Sequence, residues 1–212
     1  MKTKLLIAIP TTDYMHFDFV KSLVGLVEKL KDDGINYEVR IKGLSLVYAA
    51  RDELAKYAIK HEFTHVLWID SDMVFTPELF EDLSFIGKDF VTGVAHSRRP
   101  PYIPCTFTDI TLNNITRVEE YPREPFRIAG CGFACVLIKT DVLDAVLQAY
   151  KSCFLPMPAY GEDVAFCKRA ADLGYEIWCD PSVRLGHIGH IVVYPETREQ
   201  YQQVISSGWK QV

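Results

Sequence analysis

The chain has 212 residues, of which 49% are hydrophobic and 24% charged. That is an ordinary globular composition, and it excludes a disordered chain, a collagen repeat and a coiled coil. With 28 acidic against 23 basic residues the net charge is −5, which argues against a duplex-binding protein that neutralises phosphates.

An acidic chain can still hold a phosphorylated ligand when a metal ion supplies local positive charge. The apolar stretch Leu5 to Ile9 ends at Pro10, too short for an export signal. No run approaches the ~20 apolar residues of a spanning helix, so a cytoplasmic location is expected. Cys131 and Cys135 form the only closely spaced cysteine pair, without a second pair to complete a zinc site. Reduced thiols are therefore expected for all six cysteines.

In chain order, Lys4 to Ile9 reads as a strand covered on both faces. A helix follows, with Phe17, Val20, Leu23, Val24, Val27 and Leu30 on one stripe and Gly34 as its stop. Asn36 to Ile41 is a second strand, Leu46 to Lys60 a second helix and His65 to Ile69 a third strand. Thr76 is the natural N-cap of a third helix, with Pro77 in its first turn. Phe90 to Ala95 is a fourth strand. This alternation predicts an α/β fold with a mostly parallel sheet flanked by helices.

Ligands on such sheets bind beyond the carboxyl ends of the strands. The candidate segments are therefore Pro10-Thr11-Thr12, the residues after Ile41, and Asp70-Ser71-Asp72. Residues 97 to 127 form a proline-rich excursion carrying Arg98 and Arg99, with a hairpin of Cys105 to Thr108 and Ile115 to Glu119 turning at Asn113-Asn114. Long excursions of this kind are commonly lids. A strand at Gly132 to Lys139, a helix at Asp141 to Tyr150 and a helix from Glu162 to Gly174 follow. Strands at Tyr175 to Cys179 and Val183 to His187 precede a polar tail. A single domain results: a first half over 1–95, the excursion over 96–128 and a second half over 129–212.

A lone D-x-D arises readily by chance, but Asp70-Ser71-Asp72 directly follows a buried-strand pattern. Residues i and i+2 of an extended chain project to one side, so both carboxylates can face one cation; solvated turn aspartates are the plainer alternative. Glu162-Asp163 stands at a helix N-terminus, where the macrodipole alone favours acids, yet a carboxylate there can also serve as a general base. His187-Ile188-Gly189-His190 can be structural or can present an imidazole to a metal. Two carboxylates and an imidazole suit Mn²⁺ or Mg²⁺ with places left for phosphate oxygens. Arg51 reads either as a surface ion-pair residue or as part of this site. Trp178, Tyr160 and Tyr102 can stack on a sugar ring or lie buried, and Arg98-Arg99 can clamp a diphosphate or be solvated.

Together these pieces resemble the GT-A glycosyltransferases, the nucleotide-diphospho-sugar transferase fold, and most of all the family 2 type. The resemblance runs from Ile7-Ala8-Ile9-Pro10-Thr11 through Ala50-Arg51-Asp52-Glu53-Leu54-Ala55, Asp70-Ser71-Asp72, Gly130-Cys131-Gly132-Phe133-Ala134 and Glu162-Asp163 to His187, in the family's order. It implies sugar transfer from a nucleotide-sugar donor, with a UDP-sugar expected, to a glycan or other hydroxyl acceptor. It also implies that Pro10, Thr11, Arg51, Asp70, Ser71 and Asp72 hold the donor. Asp70, Asp72 and His187 would hold the metal, with His190 as substitute. Gly130, Gly132 and Phe133, with Trp178 nearby, would form the acceptor pocket, and Asp163 would be the base beside Glu162.

The sequence departs from the family in two places. Arg40-Ile41-Lys42-Gly43 stands where the family often has acids that read the base, and Asp52 replaces the usual Asn. The chain leaves little room for an extended acceptor region, which implies a small acceptor or one bound partly by a partner chain. Two other classes fit the same residues: a nucleotidyltransferase on a related sheet, and a non-catalytic sugar-nucleotide or glycan-binding module. The first wants a glycine-rich phosphate loop after the opening strand, and Pro10-Thr11-Thr12-Asp13 lacks it.

Overall fold

The computed structural model describes residues 2–12, 14–111 and 114–189. His190, the polar tail and Asn113 of the anticipated turn lie outside the described residues. β1 (Lys4–Pro10) is the centre of the first half, with Leu5 to Ile9 fully buried. It carries α1 (Phe17–Asp32), β2 (Asn36–Lys42), α2 (Val47–Lys60) and β3 (His65–Ile69) in turn. Both β2 and β3 pair with β1 in parallel. Gly34 takes φ +67 just beyond α1, the left-handed turn that ends a helix without steric cost.

The rest of the chain adds β4 (Met73–Val74), α3 (Leu79–Phe85), β5 (Phe90–Val94), β6 (Thr106–Thr111) and β7 (Asn114–Arg117). Then come β8 (Phe126–Ile128), β9 (Gly130–Cys131), β10 (Cys135–Lys139), α4 (Thr140–Tyr150), α5 (Glu162–Asp172), β11 (Ile177–Arg184) and β12 (Gly186–His187). The main sheet has the order β2-β1-β3-β10-β5-β11-β8. β10 runs antiparallel between β3 and β5, and β8 closes the edge antiparallel to β11. The fold is therefore α/β with a mostly parallel sheet, as the alternation predicts. Two small sheets stand beside it, β7-β6-β9 and β12-β4.

Each sheet face has its own apolar layer. Leu6, Ala8, Val66 and Trp68 pack with residues of α2, α4 and α5, while Leu5, Ile7, Ile9, Leu67 and Ile69 pack with α1 and α3. All six cysteines are free thiols. Among the described residues no helix is long and apolar enough to cross a membrane.

Several boundaries differ from the sequence expectation for local reasons. α1 buries Phe19, Ser22, Leu26 and Leu30, while Phe17, Val20 and Val24 face outward. The face is rotated because the Ser22 hydroxyl accepts the Phe75 N–H at 3.2 Å, drawing a polar residue inward. α3 begins at Leu79 with Glu78 as its N-cap, and Thr76 supplies only a turn carbonyl. The strand expected at Gly132 to Lys139 starts only at Cys135, as β10, because Gly132 N–H donates to the Cys105 carbonyl outside the main sheet. The last two expected strands are divided differently: β11 runs on across Pro181 to Arg184, its register slipping by a bulge, and Gly186–His187 stand apart as β12. Asp180 stabilises that bulge by accepting from Ser182 N–H and Oγ–H at 2.8 and 2.7 Å.

The bulge presses Val183 onto Gly93 in β5. A Cβ at position 93 would lie 2.6 Å from the Val183 carbonyl oxygen and 2.8 Å from its Cγ1. Since backbone must move to admit it, Gly93→Ala is expected to destabilise the protein by about 1–3 kcal/mol. A lowered urea midpoint at unchanged slope would show this, and an unchanged midpoint would contradict it.

Candidate active site

The carboxyl ends of β1, β3 and β5 open on the same edge of the sheet, and a cavity of about 470 Å³ lies there. Pro10, Thr11 and Thr12 line it from the end of β1, Asp70, Ser71 and Asp72 from the end of β3, and Arg98 and Arg99 from the excursion after β5. Tyr14, His16, Ser45, Val47 and Ile188 complete the wall. Thr11 Oγ1 donates to Ser71 Oγ at 3.0 Å, joining the first two loops. A tight turn presents the acidic pair: Asp70 N–H donates to the Ala134 carbonyl, and the Asp70 carbonyl accepts Met73 N–H.

Asp72 meets its partners because β12 pairs with β4 and sets His187 opposite Met73. His187 Nε2 lies 3.4 Å from Asp72 Oδ2. Its Nδ1 donates to the His96 carbonyl at 2.8 Å, which fixes the ring. Arg98 Nη1 pairs with the same Asp72 oxygen. Burial alone would raise the Asp72 carboxyl, but the His187 hydrogen bond and the charges of His187 and Arg98 outweigh it and hold it below the ordinary value. The Asp72 hydrogen bond in turn raises His187 above the ordinary imidazole value, against the effect of burial.

Asp70 points elsewhere. Arg51, only 3% exposed, donates through Nη2 to Asp70 Oδ1 at 2.8 Å and through Nη1 to Glu162 Oε1 at 2.7 Å. The Phe133 ring lies 5.2 Å from the guanidinium carbon. One buried cation thus ties the end of β3 to the start of α5. Burial raises the Asp70 carboxyl above its ordinary value, and the Arg51 charge only partly offsets it.

Asp163 follows Glu162 in the first turn of α5 and accepts Val164 N–H at 2.7 Å through Oδ1. Its Oδ2 faces Gly132: a Cβ there would lie 3.6 Å from that oxygen and 3.4 Å from Cys105 Cβ. Glycine therefore leaves the space before the carboxylate open. Burial first, and then the neighbouring Glu162 charge, push Asp163 up, which makes its ionised form a better proton acceptor.

The structure brings together Pro10, Thr11, Asp70, Ser71, Asp72 and His187, and joins them to Glu162 and Asp163 through Arg51. The other acceptor-pocket residues are placed otherwise. Phe133 is buried in a ring cluster with Trp68, Phe90, Phe154 and Phe166. Gly130 serves close packing, since a Cβ there would press on Cys167 and Ile110. Trp178 holds Lys88 over its ring and donates to Glu176, away from the cavity. Tyr160 is buried, its hydroxyl donating to the Ile110 carbonyl at 2.6 Å. Asp52, the departure from Asn, accepts Cys153 and Phe154 N–H on Oδ1 and the Ser152 hydroxyl on Oδ2. This three-donor role suits a carboxylate. Neither the Arg98–Asp72 contact nor the role of the His96 carbonyl is readable from local pattern, although both lie just past the end of β5, where ligand loops are expected. Among the described residues, no three His, Cys, Asp or Glu side chains form a group that could hold a metal ion.

No family model matches the sequence, and no curated protein matches it. Solved structures do. A197 from STIV is 18% identical, with a TM-score of 0.57 over 90% of this chain and 87% of that one. An apo UDP-glucose pyrophosphorylase is 8% identical, with a TM-score of 0.55 over 97% of this chain and all of that one. The catalytic domain of Drosophila β1,4-galactosyltransferase 7, in complex with xylobiose, is 11% identical, with a TM-score of 0.51 over 94% of this chain and 79% of that one. The chain shares its fold with these proteins. At these identities the likeness concerns the fold alone.

Arg51 gives the site its most direct stability test. Removing one partner of a buried ion pair typically costs 3–5 kcal/mol, and because both carboxylates open partly to solvent, Arg51→Met is expected to cost about 3 kcal/mol at neutral pH. Without Arg51 the folded-state pKa of Asp70 rises further above its unfolded value. The variant's deficit should therefore shrink as the pH falls toward 5. Urea titrations at two pH values would show this, and a pH-independent deficit would contradict it.

Proposed function

We propose that the chain is a glycosyltransferase of the GT-A type, most similar to family 2, moving a sugar from a nucleoside diphosphate to a hydroxyl acceptor. The observation that carries this reading is the Asp70–Arg51–Glu162 bridge. It holds a donor-sized cavity, walled by two carboxylates and two arginines, in fixed relation to the up-shifted Asp163 carboxyl. Cavities of a few hundred Å³ are the usual size for small-molecule sites. Thr11, Ser71 and the backbone around Pro10 supply hydrogen-bonding groups for the donor, and Arg98 and Arg99 supply charge for its diphosphate.

The fold type implies a divalent cation, and the donors present suit Mn²⁺ or Mg²⁺. Asp72 Oδ2 and His187 Nε2 stand 3.4 Å apart, and the other imidazole nitrogen is fixed by a backbone carbonyl, as in metal-bound histidines. Asp72 and His187 would hold the ion, while Asp70 is engaged by Arg51. When bound, the cation would take up the charge that develops on the departing diphosphate. Asp163 removes the proton from the acceptor hydroxyl as its oxygen bonds to the anomeric carbon and the bond to the diphosphate breaks. Gly132 leaves the acceptor room before that carboxylate, and the excursion bearing Arg98 and Arg99 shields the donor from water.

A panel of nucleotide sugars, assayed for nucleoside diphosphate release with Mn²⁺ and simple sugars as acceptors, tests the reading. With the donor that turns over, Asp163→Asn is expected to lower kcat by about 10²–10⁴-fold, the usual worth of general base catalysis, at unchanged donor affinity. Full activity in Asp163→Asn would contradict the mechanism. Release of pyrophosphate from a nucleoside triphosphate and a sugar phosphate would instead identify a nucleotidyltransferase.

A further inference from the structure

An imidazole, a guanidinium and one carboxylate oxygen meet at this cavity, and they are not held equally. Asp72 is fixed by its own backbone, whose carbonyl accepts Ile188 N–H at 2.8 Å. His187 is fixed by its Nδ1–H bond to His96 and by its strand pairing with Met73. Arg98 is held differently: its side chain is 48% exposed, and its ion pair with Asp72 is what brings it to the site. It stands outside the regular strands and helices, with its backbone packed against Gly189. Of the groups on Asp72 Oδ2, Arg98 is the one free to leave.

Resting on the reading of Asp72 and His187 as cation ligands, we infer that Arg98 is an exchangeable counter-ion that makes cation and diphosphate binding interdependent. Its guanidinium neutralises Asp72 while the cavity is empty and competes with a divalent cation for the same oxygen. When a cation arrives with a nucleoside diphosphate, Asp72 turns to the metal, and the freed guanidinium, beside Arg99 on the cavity wall, pairs with the phosphates. An arginine fork suits that second partner as well as the first, since carboxylate and phosphate oxygens offer it the same bidentate geometry. The cation alone must displace Arg98 without compensation, whereas the two ligands together give each charge a partner. Binding of one ligand therefore strengthens binding of the other, by the same factor in both directions.

Calorimetric titrations with Mn²⁺ alone, UDP alone and each in the presence of the other test this in wild type, Arg98→Gln and Arg99→Gln. Wild type is expected to bind Mn²⁺ alone weakly and to bind Mn²⁺ and UDP with mutual enhancement of about fivefold or more. Arg98→Gln should bind Mn²⁺ alone several-fold more tightly, bind UDP with Mn²⁺ more weakly, and lose most of the enhancement. Arg99→Gln, which removes a cavity charge that is not on Asp72, should weaken UDP and leave Mn²⁺ alone nearly unchanged. Arg98→Lys should fall between wild type and Arg98→Gln. Unchanged or weaker Mn²⁺ affinity in Arg98→Gln, or an equal gain in Arg99→Gln, overturns the inference. Asp72→Asn separates the two levels. If it abolishes Mn²⁺ binding, a negative Arg98 result leaves the cation reading standing; if Mn²⁺ binding survives it, both fall together.

Discussion

A guanidinium with almost no exposure to water is costly to bury, and Arg51 is retained inside this protein because two carboxylates meet it there. Asp70 arrives from the end of β3 and Glu162 from the start of α5, 19 and 111 residues away along the chain. Satisfying Arg51 forces these two ends into one place. Once they are there, the acidic turn faces the cavity and Asp163, the next residue after Glu162, faces the opening left by Gly132. Phe133 closes the other side of the guanidinium and belongs to the ring cluster of the core. The bridge is thus anchored to the aromatic core, which holds the charged side chains in fixed relation.

The second constraint is the small β12-β4 pairing. Two residues on each side suffice to set His187 against Asp72, and the carbonyl of His96 sets the ring. Ile188 then returns to the Asp72 backbone, so the last described turn of the chain is stitched to the acidic turn. Charge around Asp72 is balanced by His187 and Arg98, whereas Asp70 is balanced by Arg51. The two aspartates of one motif therefore live in different electrostatic surroundings and carry opposite shifts: Asp70 up, Asp72 down.

Much of this was legible in the sequence because it is local. The Leu5 to Ile9 run is a strand buried on both faces, Gly34 and Gly174 end helices with positive φ, and Asp70-Ser71-Asp72 sits where a buried strand stops. What escaped the sequence is set by partners far along the chain. Nothing in the Cys135–Lys139 pattern says that it inserts antiparallel between β3 and β5, since strand order depends on long-range pairing. The rotated face of α1 follows from a hydroxyl that meets the Phe75 N–H, which apolar periodicity does not register. The Ala50-Arg51-Asp52 motif points Arg51 toward the site, but its role as a bridge to Glu162 depends on a contact across half the chain. An aromatic ring such as Trp178 suits stacking on a sugar, but its position in β11 gives it Lys88 and Glu176 instead.

On the proposed function, the cavity would take a nucleoside diphosphate together with a divalent cation. Thermal unfolding of the chain against a panel of nucleoside diphosphates and sugar nucleotides, each with and without Mn²⁺, tests it most directly. A ligand present at 100 times its dissociation constant adds about 2.7 kcal/mol to stability, which is readily seen as a higher Tm. A rise with at least one nucleotide, much larger when Mn²⁺ is present, is the expected result. A panel without any shift, or a nucleotide shift indifferent to Mn²⁺, would contradict it.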